Sequence, residues 1–142
     1  MSHARSLARR AAVQALYQWQ IGRQNLSDIE AQFLIDHALD KAELPYFQEL
    51  LHQIPAQLDD VERSLSPMLD RPIAEIDPVE CAILRIGTYE LRAHPEIPCR
   101  VIINEAIQLA KRFGGDLGYK YVNGVLDKVA RALRPGELSR PS

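Results

Sequence analysis

Two cysteines in 142 residues build no disulfide framework, and neither stands in a Cys/His spacing that would hold zinc. Cys81 falls in an expected core helix and Cys99 lies beside a proline, so both read as reduced thiols, Cys81 structural. No uninterrupted apolar run approaches ~18 residues, and the N-terminus lacks the apolar segment of a signal peptide. The chain is therefore expected in the cytoplasm, with no membrane partner. Alternating strand patterns and hairpin turns are missing as well, which leaves an all-α fold. The four histidines, at 3, 37, 52 and 94, are too scattered for a ligand pair or a general base. Gly114-Gly115 lacks the Lys-Ser/Thr of a phosphate-binding loop, and no strand precedes it. Asn104-Glu105 and Asp127-Lys128 suit helix hydrogen bonds and ion pairs better than acid/base work. No catalytic residue, metal or cofactor is expected.

What is there is apolar residue in quantity, 46% of the chain and enough for one domain's core, and a segregated charge. Residues 1–23 carry Arg5, Arg9, Arg10 and Arg23 and no acid. Residues 24–62 carry nine acids against Lys41 alone, and residues 100–142 carry eight bases against four acids. The formal net charge of -2 hides two basic ends around an acidic middle. If the ends meet in space, they make a face suited to a polyanion. Asp59, Asp60 and Glu62 read as a solvated acidic face that would also suit a basic protein.

The chain is organised around Asp77 to Leu91. Asp77 can cap, Pro78 suits the first helical position, and Glu80 can reach back to the cap's N–H. Val79, Ala82, Ile83 and Ile86 form one apolar stripe and Leu84, Gly87 and Leu91 another, so this helix needs neighbours on several sides. Gly87 costs roughly 1 kcal/mol against alanine, and its expected use is a close helix crossing. Before it, residues 3–22 place Ala8, Ala11, Ala12, Ala15, Leu16 and Trp19 on a core face. Arg10, Gln14 and Tyr17 fall opposite, with Ser6, Val13 and Gln20 flanking them and Arg9 nearer the boundary. Ser27 and Glu30 form a capping-box pattern for a helix that turns Ile29, Phe33, Leu34 and, if it runs so far, Ala38 inward. A longer helix runs from Pro45 to about Pro67, kinked at Pro55.

Residues 67–76 read as a connector between an N-terminal lobe (3–66) and a C-terminal lobe (77–134). Val101 to Phe113 places Ile103, Ala106, Ile107, Ala110 and Phe113 on one face and ends at Gly114-Gly115. Asp116 can cap the last helix, whose buried stripe is Val122, Val125, Leu126, Val129 and Leu133 and whose end is Pro135. The tail 136–142 is expected to be disordered. The whole is one domain, a bundle of about six to seven helices in two lobes around the central apolar helix. Six side chains are expected to be buried: Trp19, Ile83, Ile86, Ile107, Val125 and Leu126.

The outer side of the last helix carries Lys120, Gly124, Lys128 and Arg131, with Tyr121 at its edge. Cations neutralise phosphates, an aromatic face stacks an unpaired base, and a glycine admits a backbone closely. A plain solvated face is the alternative for one helix alone, but Arg9, Arg10 and Tyr17 repeat the combination on the first helix. Glu80 either completes its cap or presents a carboxylate to a partner.

Residues 97–128, IPCRVIINEAIQLAKRFGGDLGYKYVNGVLDK, resemble the C-terminal signature of the NusB family of transcription antitermination factors. AVQALYQWQ at 12–20 and VECAILRIGTYEL at 79–91 support the likeness, which runs in order from Arg5 to about Pro135. The resemblance implies an all-helical, two-lobed protein without catalysis. It pairs with the ribosomal protein NusE, binds the single-stranded boxA element of nascent RNA with it, and joins the transcript to the RNA polymerase antitermination complex, as in ribosomal RNA operons. By matching position it implies RNA contacts at Arg5, Arg9, Tyr17, Lys120 and Tyr121, and a NusE contact at Glu80. Two alternatives are a helical module that binds only protein and the RNA-binding part of a methyltransferase; no glycine-rich methyl-donor site appears in the chain. Monomer and homodimer both stay open.

Overall fold

The computed structural model describes residues 3–36 and 39–138. Among them are eight α-helices, two short 3-10 turns at Ser66–Met68 and Ile73–Glu75, and no strand. The fold is all-α, with one helix more than expected because prolines divide or open helices at two places. The chain forms two compact units, Met1–Gln57 and Leu58–Ser142.

In the first unit, α1 (His3–Gly22) packs on α3 (Leu44–Ala56) and on α2 (Leu26–Ile35). Ala8, Ala12 and Ala15 of α1 are fully buried, as are Phe47, Leu50, Leu51 and Ile54 of α3. Small residues on one helix leave room for large ones on the other. Phe33 brings its ring within 5.6 Å of Phe47. Two side chains on α1 depart from the periodic reading: Val13 is buried, and Trp19 is only half-buried, with the Arg23 guanidinium 5.2 Å from its ring. The start of α2 is capped by Asn25, whose side-chain oxygen accepts from the N–H groups of Ser27 (2.9 Å) and Asp28 (3.3 Å). Ser27 is therefore not the cap. Glu30 turns instead to α3, accepting from Gln48 at 2.7 Å and meeting His52 at 2.6 Å. Leu34 is exposed, and Ala38 and His37 lie outside the described residues.

The expected long helix is two. Pro55 has no N–H to continue the ladder, α3 ends at Ala56, and α4 (Leu58–Leu65) starts anew and packs on α5 (Pro78–Ala93). The division between units accordingly falls at Gln57 rather than in the 67–76 connector.

In the second unit, Asp77 caps α5 by accepting from the N–H groups of Val79 and Glu80, both at 3.1 Å. Every residue from Cys81 to Leu91 is buried, because α5 meets α4, α6 (Cys99–Phe113) and α7 (Gly118–Leu133). A β-carbon on Gly87 would lie 2.7 Å from Leu126 Cδ1, so the glycine permits the α5/α7 crossing. Ile83, Ile86, Val125 and Leu126 are buried as expected. On α6 the buried line is Cys99, Ile102, Ala106, Leu109 and Ala110. Ile103, Ile107 and Phe113 are half-buried, since the helix carries two adjacent apolar lines and its neighbours cover the one through Ala106. The start of α7 takes no side-chain cap, so Asp116 does not fill that role. Leu133 at its end is half-buried. Pro135 opens α8 (Pro135–Leu138), which makes the first residues of the expected disordered tail helical; residues 139–142 lie outside the described residues. Both cysteines are free and buried. Among the described residues no helix is long and apolar enough to cross a membrane.

Candidate nucleic-acid interface

The polar side of α7 is built as its periodicity implies. Val122, Val125, Leu126 and Val129 turn inward, and Lys120, Gly124, Lys128 and Arg131 are exposed on the remaining arc. Arg131 is paired with Asp127 one turn back, at 2.9 Å. Lys120 and Lys128 form no ion pair with any described residue, so their charge is directed to solvent. A β-carbon on Gly124 would meet nothing within 4 Å, which leaves the helix backbone open to close approach.

Tyr121, at the edge of this face, is already engaged. Its hydroxyl donates to Asp70 Oδ1 at 2.9 Å, and the Arg71 guanidinium stands 5.5 Å from the ring centroid. Arg71 in turn holds both oxygens of Asp70, through Nε (2.8 Å) and Nη2 (2.9 Å). These bonds, from Arg71 first and Tyr121 second, lower the Asp70 pKa to about 2. Burial and the neighbouring carboxylate push the Tyr121 hydroxyl above its ordinary range.

On α1 the expected residues separate. Tyr17 is 39% exposed, and Arg10 is half-buried and makes no ion pair with a described residue. Arg5 is bound to Glu43 Oε2 at 2.9 Å and lies 4.2 Å from the Tyr46 ring, and the Glu43 bond raises its pKa. Arg9 is 0% exposed, its guanidinium 5.5 Å from the same ring. Its place beside Ala8 and Ala12, under Tyr46, makes Arg9 part of the core rather than of an outer face.

Glu80 does not close its own capping box. Its carboxylate takes no hydrogen bond from any described residue and lies at the start of α7, with Oε2 2.8 Å from where a β-carbon on Gly118 would be. Burial, and next the charge of Asp77, raise its pKa against the opposing pull of Arg71. Among the histidines, His52 pairs with Glu30 and His94 with Glu96, at 2.6 and 2.7 Å. No cluster of three His, Cys, Asp or Glu side chains that could hold a metal ion occurs among the described residues.

The profile of the NusB family matches residues 6–131, nearly the whole chain. The chain belongs to the NusB family. The transcription antitermination protein NusB of Nitrosococcus oceani is 54% identical over 139 residues, covering 96% of this chain and 92% of that one. The NusB of Nitrosomonas europaea is 53% identical over 137 residues, covering 96% and 82%. The solved structure of T. maritima NusB superposes with a TM-score of 0.80 at 27% identity, over 99% of this chain and all of that one. The NusB match spans α1 and α7, the two helices that carry the basic, ring-bearing faces.

Sequence reasoning passed over Asp70 and Arg71, reading them as connector. Their only local signal is a charged pair between Pro67 and Pro72, and their partner Tyr121 is far along the chain. It also passed over Gly118, whose missing side chain makes room for Glu80.

Proposed function

We propose that this NusB-family chain is a non-catalytic, cytoplasmic RNA-binding antitermination factor. With the ribosomal protein NusE it binds a boxA-like single strand of nascent RNA and links it to the RNA polymerase complex, in ribosomal RNA operons. The observation that carries the reading is the outer arc of α7, where Lys120 and Lys128 stand unpaired around an open Gly124 and beside the Tyr121 ring. Unpaired cations attract phosphates, and a ring at the same edge offers a stacking platform. The α1 face supports it with Arg10 and Tyr17, and Arg5 becomes available where a phosphate outcompetes Glu43. Arg9 acts only indirectly, by holding α1 and Tyr46 in place. Glu80 contacts NusE: a half-buried carboxylate with no internal hydrogen bond gains from a partner's donors.

Gel-shift titration of a boxA-like RNA, with and without purified NusE, tests the reading. A shift that tightens when NusE is added is expected. NusE binding with no RNA shift under either condition would overturn it in favour of a module that binds only protein.

A further inference from the structure

In the RNA-free protein, the Asp70 carboxylate does to Arg71 and Tyr121 what an RNA strand would do. Arg71 presents Nε and Nη2 as a fork, the geometry by which a guanidinium holds a phosphate, and Asp70 occupies both arms at 2.8 and 2.9 Å. The same Oδ1 takes the Tyr121 hydroxyl, and the guanidinium stands against the ring that a base would stack on. One carboxylate thus closes a phosphate fork and a stacking platform together. All three side chains remain open to solvent, Arg71 and Asp70 by about half. Exposed ion pairs are weak, so an incoming polyanion can exchange for Asp70 at little cost.

We propose that Asp70 is a built-in competitor for RNA, and that single-stranded RNA binds this edge by drawing Arg71 from Asp70 onto a phosphate and freeing the Tyr121 ring for a base. Arg71 is then an RNA contact and Asp70 a brake on affinity. The inference rests on the RNA-binding reading above, and neither residue belonged to the faces that charge and periodicity suggested.

The test is fluorescence-anisotropy titration of a boxA-like RNA with NusE present, over a range of salt. The proteins are the wild type, Asp70→Asn, Asp70→Ser, Arg71→Ala and the Asp70→Asn/Arg71→Ala double variant, each checked for native circular dichroism. Both Asp70 variants should tighten binding, by about three- to fivefold for loss of one exposed competing pair. They should also steepen the plot of log K against log salt by about 0.7, one further single-strand phosphate contact. Arg71→Ala should weaken binding, and in the double variant Asp70→Asn should bring no gain. Unchanged or weaker binding by both Asp70 variants overturns the proposal. So does a gain that survives without Arg71, which would mark general repulsion by a surface charge. If the wild type binds RNA and Lys120→Ala weakens it while Asp70 and Arg71 are silent, this inference alone fails. If the wild type binds no RNA, the functional reading fails with it.

Discussion

Replacing Arg134 with alanine removes the side chain that closes the C-terminal end of α5. Its guanidinium is only 9% exposed and donates to the carbonyls of Ile97 (2.6 Å), His94 (2.8 Å), Leu91 (3.1 Å) and Glu90 (3.3 Å). It also meets Glu137 Oε1 at 3.2 Å, while Glu137 Oε2 accepts from the Cys99 N–H at 2.7 Å and so satisfies the start of α6. One arginine and one glutamate thus clasp the end of one helix to the beginning of the next. Hydrogen bonds from a charged donor contribute roughly 1.5–3 kcal/mol each, and only the two shortest have the geometry to reach that range. Arg134→Ala should therefore cost about 3–5 kcal/mol. With a urea slope near ~2 kcal/mol/M, the unfolding midpoint should fall by about 1.5–2.5 M. Arg134→Lys keeps the charge without the fork and should recover less than half. Amide exchange at Cys99 should quicken in both variants. A loss below about 1 kcal/mol for Arg134→Ala would refute the clasp.

Three further outcomes follow from named contacts. Because Asp77 and not Glu80 caps α5, Glu80→Lys should weaken NusE binding with near-native circular dichroism, whereas Asp77→Ala should cost about 0.5–2 kcal/mol of stability; equal NusE affinity for Glu80→Lys would sink the partner assignment. Gly118→Ala should push the Glu80 carboxylate out of its seat and bring its raised pKa back toward the ordinary glutamate range, read by carbon-detected NMR titration; an unmoved pKa would contradict that seating. Glu30, whose pKa is lowered first by the His52 bond, stabilises the fold above its unfolded pKa, and that contribution is lost as pH falls through the lower folded value. Glu30→Gln should accordingly flatten the acid limb of a stability-against-pH curve below about pH 4.5, and an unaltered limb would show that the pair contributes nothing.

The parts of the fold that were legible depend on neighbours in sequence. The Asp77-Pro78 start, the apolar run of α5, the stripe of α7 and the crossing glycine at 87 all express local capping and periodicity. Arg9 was not legible, since the burial of a cation is decided by Tyr46 on another helix, and periodicity alone put it near a boundary. Ser27 lost the cap to Asn25 because either side chain can serve there and only the backbone conformation selects between them. On α6, two apolar lines differ by one residue's rotation, and packing chose the line through Ala106 over that through Ile107. At the candidate site, Lys120 and Lys128 could be read from helix geometry. The engagement of Tyr121 by Asp70 could not, because it joins residues whose nearness is a product of tertiary folding.

The central claim is that the α7 arc binds RNA through both charge and a ring, and the two residue types should fail differently. The decisive measurement is the salt dependence of boxA-like RNA affinity, with NusE present, for the wild type, Lys120→Ala and Tyr121→Ala. Lys120→Ala should reduce the slope of log K against log salt by about 0.7, and Tyr121→Ala should lose roughly 1–3 kcal/mol of affinity with little change in slope. Affinity and slope untouched by both substitutions, with NusE still bound, would place the RNA elsewhere and contradict the account.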